Sequence, residues 1–360
     1  MNILILGGYG ATGRPLTKHL LAQTNHGIVV AGRNLTKAQA FADSLHSERV
    51  TAQQVDGADT ASLKQVLQSV DFLLVVAPTT HHTETVVRAV LEAGVDYLDV
   101  QYSDLKLKAL RAHETQINSR KLCFITEAGY HPGLPSAMIR YAASKLDCIE
   151  SARTACFLKM GGLQYTEAAD ELMEGFIHYQ AQVYKNGAWT KPSSWEMRKF
   201  DFGEEIGTKT CYSMFFEELR CIPAMYPTLR DAGFYISGWN LWTDLLLTPI
   251  VMIGLKVAPK RGIRPLGKLM WWAMNRSKPP YRVVLKVEAT GLLNGRQARV
   301  DARLEHADGY KLTAIPVVAL LLQYNQIRQP GLHMMGHLAE PDCLFQDMER
   351  MGVRVTTSVR

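Results

Sequence analysis

Cysteine is scarce in this sequence and is not arranged for metal or disulfide chemistry. The six cysteines form no Cys-x-x-Cys pair and show no ligand spacing with histidine. We therefore expect reduced thiols and no metal site. Motifs typical of DNA- or RNA-binding proteins are also missing, and a net charge of +6 is mild for 360 residues. Such a charge suits small anionic molecules at least as well as nucleic acid, so we expect no nucleic-acid partner.

A secretory signal is the second missing feature. The first strand pattern begins at residue 2, which leaves no room for a signal peptide ahead of it, so we expect a cytoplasmic protein. A composition of 47% hydrophobic and 21% charged residues excludes a wholly disordered chain. The length suits two domains with a sizeable core.

A glycine-rich stretch near the start carries the strongest functional signal. A short apolar run at residues 2–6 predicts a buried strand, glycines follow, and residues 15–23 predict a helix. Glycines at this spacing permit a tight turn, a close approach of the backbone to a pyrophosphate, and close packing of helix on strand. The helix N-terminus supplies amide donors and a positive dipole end for the phosphates. The predicted cofactor-binding residues here are Gly7, Tyr9, Gly10, Ala11, Thr12 and Gly13.

The end of the second strand distinguishes NADP from NAD. An acidic residue at this position holds the ribose hydroxyls of NAD, whereas an arginine accommodates the 2′-phosphate of NADP. This chain has Arg33 followed by Asn34, and no acid. The pattern therefore predicts NADP. An alternative is that Arg33 is merely a solvated residue before the next helix, with Arg14 sharing the phosphate role.

Strands and helices alternate regularly as far as residue 126, which is typical of a Rossmann fold, an α/β doubly wound parallel sheet. Strand ends line the ligand crevice in such folds, so we expect Ala77 and Pro78 to pass the nicotinamide half of the cofactor. Asp56 lies where such folds contact adenine, although a simple turn residue is an equal alternative. The Gly- and Pro-rich loop after the sixth strand, residues 126–135, should lie beside the nicotinamide.

The remaining sequence predicts an inserted α+β domain for substrate binding or dimerisation. Its clearest signal is a hairpin with an Asn294-Gly295 turn. A later helix is expected to begin at Thr313, with Pro316 in its first turn, and to return to the first domain. The predicted division is residues 1–146 for the NADP-binding domain, 147–311 for the α+β domain, and 312–360 for the returning segment.

A long apolar stretch raises the question of membrane contact. Between residues 232 and 255 the only charged side chain is Asp244, and tryptophans and basic residues extend the pattern to residue 272. An acid in mid-helix and Pro249 argue against a transmembrane helix. Two interpretations stay open: a buried or dimer-facing helical segment, and a membrane-surface contact through residues 232–272. The tryptophans and basic residues of the second interpretation are Trp239, Trp242, Trp271, Trp272, Lys256, Lys260, Arg261, Arg264 and Lys268.

Several segments together resemble the saccharopine dehydrogenase-like (saccharopine reductase) family. They are residues 7–13 (GGYGATG), 31–34 (AGRN), 97–99 (YLD), 128–133 (AGYHPG), 313–316 (TAIP) and 330–331 (PG). The resemblance implies an NADP-binding Rossmann domain, an inserted domain that closes over a small-molecule substrate, and a homodimer. Members that reduce amino-acid imines have Asp where this chain has His131. The Gly-Pro pair usual after the fourth strand is Ala77-Pro78 in this chain. These departures argue against saccharopine as the substrate.

The sequence thus predicts an NADP(H)-dependent oxidoreductase that transfers hydride to or from a C=N, C=O or activated C=C group. His131 is the predicted proton donor, because an ordinary histidine pKa suits proton transfer at neutral pH. Tyr130 and then Tyr102 are the reserves, and a purely structural role for His131 is the alternative. Two other functions stay open: a non-catalytic NADP-binding sensor or scaffold, and a membrane-associated lipid (enoyl or keto) reductase.

Overall fold

A computed structural model describes residues 1–177, 179–193, 196–238 and 243–360 of the chain. The chain divides into two compact units. The first unit comprises Met1–Gly133 and Tyr310–Met351, and the second comprises Leu134–Gly309 and Gly352–Arg360.

The first part of the chain alternates strictly between strands and helices. Its strands are β1 (Asn2–Leu6), β2 (Gly27–Gly32), β3 (Val50–Gln54), β4 (Phe72–Val75), β5 (Asp96–Asp99) and β6 (Cys123–Thr126). Its helices are α1 (Gly13–Gln23), α2 (Leu35–Asp43), α3 (Thr60–Leu67), α4 (Thr83–Ala93), α5 (Asp104–Ala112) and α6 (Glu114–Ser119). α5 and α6 are separate helices, because the backbone of His113 between them leaves the helical conformation, at φ −103° and ψ 6°.

The rest of the chain mixes both element types. The strands are β7 (Cys148–Lys159), β8 (Val183–Lys185), β9 (Ala188–Thr190), β10 (Met197–Asp201), β11 (Thr208–Met214), β12 (Asp231–Ser237), β13 (Arg282–Leu293), β14 (Arg296–His306), β15 (Gly331–Met334) and β16 (Arg354–Val359). The helices are α7 (Leu134–Ala143), α8 (Glu167–Gly175), α9 (Ile222–Met225), α10 (Thr248–Val257), α11 (Ile263–Met274), α12 (Gly309–Ile327), α13 (Met335–Leu338) and α14 (Pro341–Arg350).

The first unit is built on a parallel sheet, which confirms the predicted Rossmann fold. In the described part of the chain, seven strands pair in the order β15-β6-β5-β4-β1-β2-β3. The strand order reverses between β1 and β4, and ligands bind outside the carboxyl ends of strands at such a switch point. β4, β5 and β6 are buried along their whole length, as strands covered on both faces are. β15 was not predicted, because it follows a long helix and is only four residues long.

α12 returns to this sheet, but it does not begin where the sequence predicts. The helix starts at Gly309, so Thr313 is no cap and Pro316 lies inside the helix. Proline there removes one amide donor, and burial of the apolar side chains around it outweighs this local cost. Asp96 holds the far end of α12, accepting hydrogen bonds from Tyr324 Oη at 2.7 Å and Arg328 Nε at 2.7 Å.

The second unit is organised around a mixed sheet. Among the described residues, nine strands join it, seven of them in the order β10-β11-β12-β7-β13-β14-β16. β13 and β14 form the predicted hairpin, with Leu293 paired to Arg296 across the Asn-Gly turn. Two elements of the second unit, α7 and β16, shift the domain limits from those predicted. α7 packs on β7 and β13, so this unit begins at Leu134, and β16 pairs with β14, so the last nine residues belong here and not to the first unit.

The long apolar stretch is not one continuous helix. Asp231–Ser237 is the buried strand β12, paired with β7 and β11. The helix α10 begins only at Thr248, with Pro249 in its first turn, where a missing amide donor costs nothing. Across the described residues, no helix is both long and apolar enough to cross a membrane. Trp239 and Trp242 lie outside the described residues.

Candidate cofactor and substrate site

The loop between β1 and α1 is shaped by two glycines that admit no side chain. Gly7 has φ +91°, and a Cβ on it would lie 2.7 Å from the backbone nitrogen of Ala77. A Cβ on Gly13 would lie 2.2 Å from the carbonyl oxygen of Gly7. Both distances are far shorter than an ordinary van der Waals contact. The backbone of this loop is therefore packed directly against the end of β4 and the first turn of α1.

Gly10 differs from Gly7 and Gly13, because it borders open space. A Cβ on Gly10 would meet a single atom within 4 Å, the carbonyl oxygen of Gly7 at 3.1 Å. The residue is exposed, as is Ala11 beside it. Two amides here already donate within the loop, Arg14 to the Gly10 carbonyl at 3.0 Å and Gly10 to the Gly7 carbonyl at 2.9 Å. The other amides at the start of α1 and the helix dipole favour an anion at this point. A backbone surface without side chains next to these donors fits a pyrophosphate.

Tyr9 connects this loop to the end of β2. Its ring lies against Gly32, where an added Cβ would be 2.7 Å from the Tyr9 hydroxyl. That hydroxyl accepts a hydrogen bond from the Asn34 amide at 3.1 Å. Arg14 donates from Nε to the Tyr9 carbonyl at 2.9 Å, and its guanidinium stacks 4.5 Å from the Phe41 ring centroid. The sequence predicts Tyr9 as a cofactor-binding residue, and the structure shows that its side chain also connects the glycine loop to the end of β2.

The other residues predicted to hold the adenosine half lie at this edge of the sheet, in specific roles. Arg33 is exposed, and its carbonyl accepts from Gln54 Nε2 at 3.1 Å. Asn34 caps α2, since its side-chain oxygen accepts from the Lys37 amide at 2.9 Å. Asp56 makes a turn, accepting from the Ala58 amide at 3.0 Å. The structure thus gives Asn34 and Asp56 local backbone roles, whereas Arg33 is exposed and its contact with the 2′-phosphate stays a prediction.

A buried lysine lies beside the predicted nicotinamide pocket, and sequence reasoning missed it. Lys106, in α5, is 1% exposed. Its ammonium donates to Thr79 Oγ1 at 3.2 Å and to the side-chain oxygen of Gln101. Thr79 directly follows Ala77 and Pro78 at the end of β4. The helical periodicity of the sequence could have indicated this burial. Lys106 lies one turn before Leu110 and on the same helix face, next to Leu107, so its charge falls on the apolar side of α5.

Asp99, at the end of β5, connects this lysine to the loop after β6. The Asp99 carboxylate is fully buried and accepts from Tyr97 Oη at 2.9 Å and from Thr126 Oγ1 at 3.0 Å. It also accepts from the Gln101 amide at 3.1 Å. Each acceptor bond satisfies part of a charge that would otherwise be costly to bury. Asp99 thereby connects the end of β5, next to Gln101 and Lys106, to the end of β6, where the next loop begins.

The loop after β6 contains the predicted catalytic pair. Tyr130 and His131 stack with ring centroids 3.9 Å apart, and Tyr130 is buried. The turn is compact: Tyr130 bridges to Gly133, and Gly129 and Gly133 have φ of +144° and +117°. Although the edge of His131 is partly accessible, desolvation of its ring lowers the pKa from 6.5 to about 3. His131 is therefore neutral at pH 7, which removes the premise on which it was predicted as a proton donor.

The structure brings the predicted cofactor residues together along one edge of the first unit's sheet. Gly7 contacts Ala77, and Tyr9 contacts the Arg33–Asn34 corner through Gly32. Within the described ranges, no group of three or more His, Cys, Asp or Glu side chains is arranged to hold a metal ion. The chemistry available here is therefore anion binding by backbone amides, with polar side chains, Lys106 and His131, near the nicotinamide end.

Comparison with known proteins agrees with this geometry. Residues 3–129 match the family described as the saccharopine dehydrogenase NADP binding domain. The match covers the glycine loop, the Arg33 corner and the buried lysine, and it ends inside the His131 loop. It confirms the predicted resemblance and the predicted cofactor, NADP.

Individual relatives are distant. The chain is 29% identical over 133 residues to the NADP(+), L-glutamate-forming saccharopine dehydrogenase of Schizosaccharomyces pombe, covering 37% of this chain and 28% of that protein. It is 21% identical over 255 residues to the carboxyaminopropylagmatine dehydrogenase of a Synechocystis species, covering 66% of this chain and 62% of that one. The chain thus spans between about a quarter and two thirds of the length of these curated relatives.

The fold of this chain agrees with that of a solved structure over its whole length. The solved apo structure of the L-Glu-forming saccharopine dehydrogenase from Saccharomyces cerevisiae superposes with a TM-score of 0.69, covering 100% of this chain and 99% of that chain. The sequence identity in that superposition is 16%, so the likeness establishes the fold and not the substrate.

Proposed function

Because residues 3–129 match the saccharopine dehydrogenase NADP binding domain, we propose that this chain is an NADP(H)-dependent oxidoreductase acting on a small molecule. The observation that carries the proposal is the open backbone at Gly10, beside the N-terminus of α1 and between two glycines that admit no side chain. NADPH, when bound, supplies a hydride to carbon. The reacting group is C=N, C=O or an activated C=C.

Among these groups we place C=N first. Both curated relatives carry dehydrogenase names, and one of those names states that L-glutamate, an amine, is formed. An imine has the oxidation level of a carbonyl compound, and its reduction by hydride gives such an amine. Saccharopine itself is not proposed, because His131 stands where members that reduce amino-acid imines have Asp, and Ala77 stands where Gly is usual after the fourth strand.

The proton that accompanies the hydride needs a donor at neutral pH. His131, with a pKa of about 3, carries no extra proton there and instead offers a neutral ring for hydrogen bonding to substrate. The ammonium group of Lys106 is held by hydrogen bonds to Thr79 and Gln101. We therefore assign the proton to Lys106 Nζ, with His131 and Tyr130 orienting the substrate.

The proposal is tested with purified protein and NADPH. Fluorescence titration measures cofactor binding, and absorbance at the nicotinamide band follows oxidation in the presence of imine, keto-acid and enoyl substrates. Stereospecific transfer of deuteride from labelled NADPH to a product supports the proposal. Tight NADPH binding without transfer to any substrate would instead indicate a sensor or scaffold, and absence of binding would contradict both functions.

We also propose a homodimer, as the family resemblance implies, and a cytoplasmic location, as the sequence predicts. Light scattering coupled to size-exclusion chromatography measures the mass in solution. A mass near 40.2 kDa at micromolar concentration would indicate a monomer and refute the dimer.

A further inference from the structure

An exposed apolar ridge runs along α10 in the second unit. Its members are Leu246 (51% exposed), which lies just before the helix, and Ile250 (57%), Ile253 (63%) and Val257 (80%) within it. Ile250, Ile253 and Val257 are spaced by three and four residues, so they share one face of the helix. The opposite face is ordinary core, with Val251 and Leu255 fully buried. The ridge is therefore additional to what the fold requires of this helix.

α11 extends this surface. α10 and α11 pack closely, because a Cβ on Gly254 would lie 2.8 Å from Leu266 Cδ1. The outer face of α11 exposes Leu269 (39%) and Trp272 (56%). Arg276 stacks on the Trp272 ring, 4.1 Å from its centroid. We call residues 246–278 the basic hairpin.

The charges of the basic hairpin have one sign. No Asp or Glu occurs between residues 245 and 287. Basic residues surround the ridge, and Lys256, Lys260, Arg261, Arg264 and Lys268 are all exposed. One of them, Arg264, lies 3.8 Å from Asp170 of α8. The basic residues of the hairpin are Lys256, Lys260, Arg261, Arg264, Lys268, Arg276 and Lys278.

From this combination we propose that the basic hairpin docks on an anionic lipid surface. Exposed aliphatic side chains on one helix face, bordered by lysine and arginine, match the way in which peripheral helices insert into the interface of anionic bilayers. Solvent-exposed aliphatic side chains in this number mark an interaction surface. The positive charge distinguishes between possible partners. Two copies of this chain that met ridge to ridge would bring their basic residues together, whereas anionic headgroups neutralise those residues.

The test uses the full chain and vesicles of phosphatidylcholine with or without phosphatidylserine, measured by co-sedimentation. Binding to the vesicles with phosphatidylserine, weakened by salt, supports the proposal. Lys260→Gln/Arg261→Gln should lower the partition coefficient about 25-fold, or about fivefold for each cation removed. Ile250→Ser/Ile253→Ser/Val257→Ser should lower it at least about tenfold by removing the inserting groups.

The matched control is Arg296→Gln/Arg354→Gln, which removes two exposed cations from strands of the same unit. It should bind vesicles as the unchanged chain does, and circular dichroism and NADPH titration check that every variant is folded. Equal binding to both vesicle types, or equal loss in the control, would overturn the proposal. A fall in solution mass for the triple serine variant, without vesicle binding by the unchanged chain, would assign the ridge to self-association and also overturn it.

Discussion

The sharpest test of the nucleotide site is a pair of alanine substitutions in the β1–α1 loop. Gly10→Ala adds a methyl group that meets one atom within 4 Å, at 3.1 Å. Its backbone needs no positive φ, so a gain of about 0.4–1 kcal/mol from the stiffer unfolded chain offsets that contact. We expect the free energy of unfolding to change by less than about 1 kcal/mol.

Gly13→Ala should behave in the opposite way. The added Cβ would lie 2.2 Å from the Gly7 carbonyl oxygen and 2.7 Å from the Gly8 carbonyl carbon, and both are backbone atoms. The start of α1 must then move away from the loop, at a cost of about 1–3 kcal/mol or more. Urea denaturation should show this loss for Gly13→Ala and not for Gly10→Ala.

Cofactor affinity then separates the two roles. A methyl group at Gly10 occupies the space that a pyrophosphate needs, and losing one charge-assisted hydrogen bond costs about 1.5–3 kcal/mol. NADPH binding by folded Gly10→Ala should therefore be about 10- to 100-fold weaker in fluorescence titration. If Gly10→Ala is stable and binds NADPH as well as the unchanged chain, the loop is not the pyrophosphate site.

Three further predictions concern other parts of the site. Arg33→Ser should weaken NADPH binding about tenfold or more and leave NADH binding unchanged in parallel titrations, because only NADP has the 2′-phosphate; equal loss for both would contradict this role. Below pH 6.5 the unfolded chain protonates His131 while the folded chain stays neutral down to about pH 3, so stability should fall by about 1.4 kcal/mol per pH unit in that window. In urea unfolding near pH 7 and pH 5, His131→Asn should lack this loss and the exposed control His82→Asn should retain it. Lys106→Met should lower turnover at least about 100-fold and change the unfolding free energy by no more than about 2 kcal/mol, whereas Lys108→Met, exposed on the same helix, should leave turnover unchanged; full activity of Lys106→Met would remove the proton-donor assignment.

The nucleotide-binding half of this protein could be predicted from sequence because its signals are local. Apolar runs bounded by glycine predict strands and helices directly, and the loop at residues 7–13 needs only neighbouring residues to form its turn. The residue after β2 lies next to that loop in folds of this topology, so the position of Arg33 in the chain was enough to predict NADP as the cofactor. The family match confirms the cofactor, and the role of Arg33 as its ligand stays a prediction.

The catalytic end of the site depends on contacts that sequence patterns do not carry. Lys106 reaches Thr79 across 27 positions of sequence, and that contact exists only because β4 and β5 are neighbours in the sheet. The pKa of His131 is likewise set by desolvation, which is a property of the packed loop and not of the residue type.

The sequence by itself determined the strand and helix alternation, the glycine loop and the choice of NADP, since each rests on residues close together in the chain. Only the tertiary structure decided that α12 runs through Pro316, that β16 ends the chain in the second unit, and that α10 presents one buried and one exposed apolar face. Burial is the physical reason in each case. Hydrophobicity predicts that a side chain can be buried, but the neighbouring elements decide whether it is.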